Sequence, residues 1–285
     1  MPRLKMTKYF SSTFMALLFL SFNIAITAQA NDMYIVTSAD TEHFPWLQVL
    51  IRSTIQHNYA KLSEIAVFDL GLTQSDIETL KSMPFVRVYQ IEEVNPDIRK
   101  KFLVRSNGRL ARGWYSWKPV IFYQALQMFP YFFYIDSSIE VIAPLDDIFD
   151  EIKREGYYLV GAGHPILPHA TNRVKQLFDL DLEENKWILD QQSISAGIQG
   201  ISRALLDSYI IPIYILAANI KNFEDDGSAP TGFGGSRHDQ PLFSTLAAKL
   251  HLKINANCAK YLALKKNGVN NDPFYEHAVK HNLIG

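Results

Sequence analysis

An alternation in the hydrophobic pattern constrains this chain more than any other feature. Short apolar runs at residues 33–37, 65–69 and 86–89 are separated by two stretches with helical character. The first, 44–57, carries Leu47, Leu50, Ile51 and Ile55 on one face, and the second starts at Thr73-Gln74-Ser75-Asp76. Strand, polar loop and helix repeated in this order predict a βαβαβ unit, because parallel strands need a crossover long enough to hold a helix. Ligands of such sheets sit at the carboxyl ends of the strands. The polar residues closing the first two runs, Thr37-Ser38-Ala39-Asp40 and Asp69, are therefore the first candidates for chemistry.

Farther along, residues 114–129 read as a helix despite Pro119. They lead into 131–136, an apolar strand that ends abruptly in the carboxylate of Asp136. Residues 145–154 form an amphipathic helix, 157–161 a strand, and 164–186 a polar loop and helix. A further strand begins at 198–201, and 239–252 is a helix with Leu242, Leu246 and Leu250 at four-residue spacing. Residues 223–237, rich in Gly, Asp, Pro and Ser, read as a mobile loop suited to cover a site.

The first thirty residues read as an address. Arg3, Lys5 and Lys8 precede an apolar stretch at 14–27, and Ala28-Gln29-Ala30 supplies the small residues of a cleavage site. A secretory signal peptide at 1–30 leaves 31–285 as one α/β domain, secreted or exported. The apolar stretch widens to 9–27, near the length that spans a bilayer, so an uncleaved anchor facing a secretory lumen is the alternative. Membrane contact then runs through this segment only. With 28 basic and 29 acidic residues, the net charge of -1 gathers neither nucleic acid nor an anionic membrane. The single cysteine, Cys258, excludes an intramolecular disulfide framework and a multi-thiolate zinc site.

Four places carry chemistry-bearing residues. Asp136, followed by Ser137 and Ser138, can hold a hard divalent cation against phosphate oxygens, or cap a turn. Lys118, in Tyr115-Ser116-Trp117-Lys118-Pro119, can offset diphosphate charge, or be a solvated lysine on a helix face. The small residues of Ser193-Ile194-Ser195-Ala196-Gly197-Ile198 suit backbone approach by a ligand and equally suit tight packing. Ser236-Arg237-His238-Asp239-Gln240 gathers a cation, an imidazole, a carboxylate and an amide at a helix start, where Asp239 would alternatively be an N-cap or first-turn acid.

The order of these segments, from Thr37-Ser38-Ala39-Asp40 through Tyr134-Ile135-Asp136-Ser137-Ser138 and Ser195-Ala196-Gly197 to Arg237-His238-Asp239-Gln240, resembles GT-A-fold glycosyltransferases similar to glycosyltransferase family 8. The resemblance covers residues 34–262. It implies a GT-A-like sandwich around a mainly parallel sheet. It also implies transfer of a hexose from a nucleotide diphosphate sugar, a UDP-sugar, to a hydroxyl of a glycan, protein or lipid, with retention of configuration. Carried over by motif, Asp136 binds Mn²⁺ or Mg²⁺. Thr37, Ser38, Asp40, Lys118, Ser138, Ala196 and Gly197 contact the donor, and Asp239 with Gln240 line its sugar as the catalytic pair. The chain departs from the pattern in three places. Ser138 replaces the second acid of the metal-binding Asp-x-Asp, Ser195 replaces an Asn, and no C-terminal His-x-x-Gly-x-x-Lys-Pro follows; neither His277 nor His281 is expected to replace it. These departures keep a degenerate glycan- or nucleotide-binding fold open. A nucleotidyltransferase is the third class, although residues 37–44 lack its glycine-rich basic loop.

Overall fold

The computed structural model describes residues 31–105, 108, 110–229, 235–256 and 258–263. The expected signal segment at 1–30, the centre of the glycine-rich loop at 230–234, and His277 and His281 lie outside them.

The opening alternation folds as read: β1 (Met33–Ala39), α1 (Phe44–Asn58), β2 (Leu62–Asp69), α2 (Gln74–Ser82) and β3 (Val86–Gln90). β1 runs past residue 37 because Ser38 and Ala39 still pair with Phe68 and Asp69. α2 starts at a reciprocal capping box between Thr73 and Asp76, and the hydroxyl of Thr41 adds a 2.7 Å bond to the same carboxylate. A short hairpin follows, β4 (Lys101–Leu103) and β5 (Leu110–Arg112), and then α3 (Trp117–Met128), β6 (Tyr131–Ile135) and β7 (Glu140–Val141). The remaining elements are α4 (Asp146–Glu155), β8 (Tyr157–Pro165), α5 (Asn172–Leu177), β9 (Gln192–Ser202), α6 (Ile211–Leu216), α7 (Asp239–Lys249) and β10 (Leu262–Ala263).

The main sheet has the order β3-β2-β1-β6-β9-β8. β3, β2, β1 and β6 are parallel, and β9 runs antiparallel to both of its neighbours. The fold is thus α/β around a mainly parallel sheet, as expected. β6 shows how two cores form: Phe132 and Tyr134 face one cluster with Phe122 and Phe243, while Phe133 and Ile135 face the other with Leu50 and Phe149. These rings are fully buried, and truncating one to alanine costs about 3–5 kcal/mol.

Two local expectations need correction. Ser195-Ala196-Gly197, expected to lie ahead of a strand that begins at residue 198, is the interior of β9, because β6 and β8 supply hydrogen-bond partners on both of its sides. α3 begins at Trp117 rather than at residue 114. Trp114 and Tyr115 hold φ of 43° and 64°, a left-handed conformation that excludes them from a helix. Pro119 is tolerated because it falls in the first turn, where a backbone N–H has no intrahelical partner.

Candidate functional site

The carboxyl end of β6, the first turn of α3 and the start of α7 meet at one ammonium group. Lys118 has a side chain only 3 % exposed, with Nζ 3.2 Å from Asp136 Oδ1 and 3.3 Å from Asp239 Oδ2. The rings of Tyr134, Trp117 and Tyr115 surround it at 5.2, 5.4 and 5.7 Å from Nζ. A cation at a helix N-terminus opposes the helix dipole, and burial strips its water, so the two carboxylates are what hold it there. Burial alone pulls the Lys118 pKa down, but Asp136 and Asp239 outweigh it and the group stays charged. The alternative of a solvated helix-face lysine is overturned.

Asp136 follows β6 directly. Its carbonyl accepts from the Ile139 N–H at 3.0 Å and closes the turn that contains Ser137 and Ser138. Its carboxylate turns away from that turn, accepting a 2.7 Å bond from the Tyr134 hydroxyl on the same Oδ1 that faces Lys118. Tyr134 is the residue the sequence reading missed. The strand period of two puts it on the same face as Asp136, which was the available signal. Its buried phenol, raised well above the ordinary value by burial and by Asp136, stays protonated and donates.

Asp239 is the first residue of α7, and its side chain is 5 % exposed. Among the described contacts its carboxylate meets Lys118 and caps nothing; the N-cap position belongs to His238, which makes no side-chain cap bond either. Burial raises its pKa to about 6, against the pull of Lys118. Gln240, also buried, sits with Nε2 3.4 Å from His164 Nε2.

Gly197 lies beneath Asp136, and its carbonyl accepts from the Asp136 N–H at 2.9 Å. Ser38 reaches the cluster indirectly, 3.4 Å from the Tyr134 hydroxyl. A continuous line therefore runs Ser38, Tyr134, Asp136, Lys118, Asp239. Thr37 and Asp40 do not join it. Thr37 is fully buried within β1. Asp40 accepts from Arg112 Nη2 at 2.8 Å and Nε at 3.2 Å, and His43 Nδ1 lies 2.6 Å from its other oxygen. Burial pushes its carboxyl up, yet these partners hold it well below the usual carboxylate range, so its charge is already spent within the fold. Asp69 is similarly occupied, accepting from the backbone N–H groups of Gly71 and Leu72 at 2.7 Å and from Gln90.

The donor set fits a cation shared with a ligand better than one caged by protein. Asp136, with a side chain 37 % exposed, offers one accessible carboxylate, and the Ser137 and Ser138 that follow it offer only hydroxyls. Among the described residues no group of three or more His, Cys, Asp or Glu is placed to hold a metal. Mg²⁺ is commonly bound in this sparse way, through one or two carboxylates, phosphate oxygens and water.

Backbone strain flanks the cluster. Gly113, Trp114 and Tyr115 all have positive φ on one side, His238 has φ 55° and ψ -100° on the other, and the Tyr115 and His238 rings are 5.6 Å apart. Non-glycine residues held in such regions cost on the order of 1–3 kcal/mol each and concentrate at functional sites.

The sequence matches no protein-family profile and no curated protein. Solved structures of similar architecture include the bifunctional glycosyltransferase WbbM in its apo form, at 14 % identity and TM-score 0.45 over 76 % of this chain. This chain spans 37 % of the length of WbbM. Apo mouse xyloside xylosyltransferase 1 aligns at 14 % identity and TM-score 0.46, over 79 % of this chain and 85 % of that one. The galactosyltransferase LgtC, solved with donor and acceptor sugar analogues, aligns at 13 % identity and TM-score 0.44, over 87 % of this chain and 96 % of its own. All three proteins are glycosyltransferases.

Proposed function

We propose that this chain is a GT-A-type glycosyltransferase that moves a hexose from a nucleotide diphosphate sugar, UDP-linked, to a hydroxyl acceptor on a glycan, protein or lipid. The observation that carries this reading is the buried ammonium of Lys118 clasped between Asp136 and Asp239 at the carboxyl end of a central strand. The chemistry of sugar transfer needs opposite charges in adjacent places. A diphosphate leaves with growing negative charge, and the anomeric carbon becomes positive. Lys118 faces the first, and the carboxylate of Asp239 suits the second. Gln240 offers an amide to sugar hydroxyls. Asp136 would hold Mn²⁺ or Mg²⁺, which when bound supplies further positive charge to the diphosphate. Two carboxylates against one ammonium leave the cluster negative, so an anionic ligand gains from such a cation.

Binding without turnover is the second reading, and Ser138 in the place of a second acid favours it. Export through the 1–30 segment, our expectation for location, sets a condition on the first reading: the protein must work where nucleotide sugars are supplied, in a secretory lumen or inside a recipient cell.

Calorimetry of the full chain with UDP, with and without Mn²⁺, together with release of UDP from UDP-glucose and UDP-galactose, tests both readings. Binding with sugar release supports the transferase, and binding alone supports the second reading. Asp136→Ala should weaken UDP binding most when Mn²⁺ is present. Absence of UDP binding in either condition overturns both.

A further inference from the structure

We propose that His238 reads the sugar: its Nε2 accepts a hydrogen bond from a ligand hydroxyl, making it a specificity-determining residue beside Asp239 and Gln240. This rests on the glycosyltransferase reading above. His238 Nδ1 lies 2.8 Å from the carbonyl oxygen of Phe223. A carbonyl only accepts, so Nδ1 carries the proton and Nε2 presents a bare lone pair. Among the described residues that atom is buried and has no hydrogen-bond partner. Burial lowers the pKa of the imidazole, against the Phe223 bond and the nearby Asp225, and keeps it neutral.

Two costs thus fall on one residue, an unsatisfied buried acceptor and a backbone conformation that side chains avoid. Helix capping explains neither, because the side chain makes no cap bond. Position links His238 to the site. Asp239 follows it in the chain, its ring lies 5.6 Å from that of Tyr115, and Tyr115 lies 5.7 Å from Lys118 Nζ. Tyr115 is 37 % exposed and His238 4 %, so the tyrosine is the open member of this ring pair and the imidazole the covered one. A ligand that displaces the Tyr115 ring would meet an aromatic face and then the lone pair. The hydroxyls and C–H faces of a sugar suit both, whereas phosphate oxygens, themselves acceptors, would be repelled by Nε2.

The test is calorimetry of the full chain, wild type and His238→Asn, with UDP, UDP-glucose and UDP-galactose. It is joined by ¹⁵N-histidine NMR of the wild type under the same additions. Asn is chosen because it tolerates positive φ. We expect at least one UDP-hexose to bind wild type about tenfold more tightly than UDP, the size of one good hydrogen bond, and His238→Asn to lose that increment while keeping its affinity for UDP. The His238 Nε2 resonance should move on addition of that UDP-hexose and stay in place with UDP. Survival of the increment in His238→Asn, or an Nε2 resonance indifferent to the sugar, overturns the proposal. Wild type that binds UDP but gains nothing from a hexose overturns the His238 assignment alone; wild type that does not bind UDP removes the glycosyltransferase reading and this proposal together.

Discussion

Gly197 supports the carboxylate of Asp136 so closely that a Cβ added to it would lie 2.9 Å from Asp136 Cγ and collide with Oδ2. Gly197 has no positive φ, so the need for glycine here is one of space and not of backbone conformation. Gly197→Ala should therefore act by displacing Asp136 from Lys118 and Tyr134. Overpacking of this kind costs about 1–3 kcal/mol of stability. UDP binding in the presence of Mn²⁺ should fall along with it. Unchanged melting and binding would mean that the carboxylate is not held where the structure places it.

Removing the ammonium alone exposes the charge logic. Lys118→Met leaves two carboxylates near one another without their common partner, and stability should drop by about 3–5 kcal/mol in urea denaturation. Adding Asp239→Asn to that variant should recover part of the loss, since one of the two charges is gone. A surface lysine would give a change within about 0.5 kcal/mol.

Asp239 predicts opposite pH trends for activity and stability. Its folded value of about 6 lies above the ordinary 3.8, raised by burial. The folded chain therefore keeps a proton that the unfolded chain releases, and the stability contributed is full below about pH 4 and lost as pH rises through about 6. Sugar release should instead appear as pH rises through that same range, because the ionised form is the one that can serve the developing positive charge. Asp239→Asn should flatten both profiles, lower turnover and spare UDP affinity, and Gln240→Ala should lower turnover with a normal melting curve. An active Asp239→Asn enzyme would remove this residue from the chemistry.

Asp40 should behave as a structural residue. Arg112→Ala strips the buried carboxylate of its charged donor and should cost about 1.5–3 kcal/mol in chemical denaturation while leaving UDP affinity unchanged. A selective loss of UDP binding with normal stability would return Asp40 to the ligand site.

Much of this was legible in the sequence because the signals are local. The runs before Asp40 and Asp69 announce strands, Thr73 and Asp76 announce a helix start, and a lone acid closing the Tyr131–Ile135 strand marks Asp136. What was not legible depends on partners distant in the chain. Nothing within residues 193–198 says that two flanking strands will hold them extended. Nothing near Asp40 says that Arg112, far along the chain, will neutralise it. Lys118 shows the same limit, since helix-face and buried lysines read alike until Asp136 and Asp239 arrive.

The line from Ser38 to Asp239 also bears on how the molecule comes into being. Ser38 and Tyr134 alone are 96 positions apart, so no early, local stage of folding can contain the site. Only the finished chain offers anything for a ligand to grip. A molecule that binds solely that state stabilises it by mass action, by about 2.7 kcal/mol at a hundredfold excess over Kd. Without a ligand the chain would then be at its most vulnerable to unfolding and proteolysis, and ligand supply would set how long the protein survives.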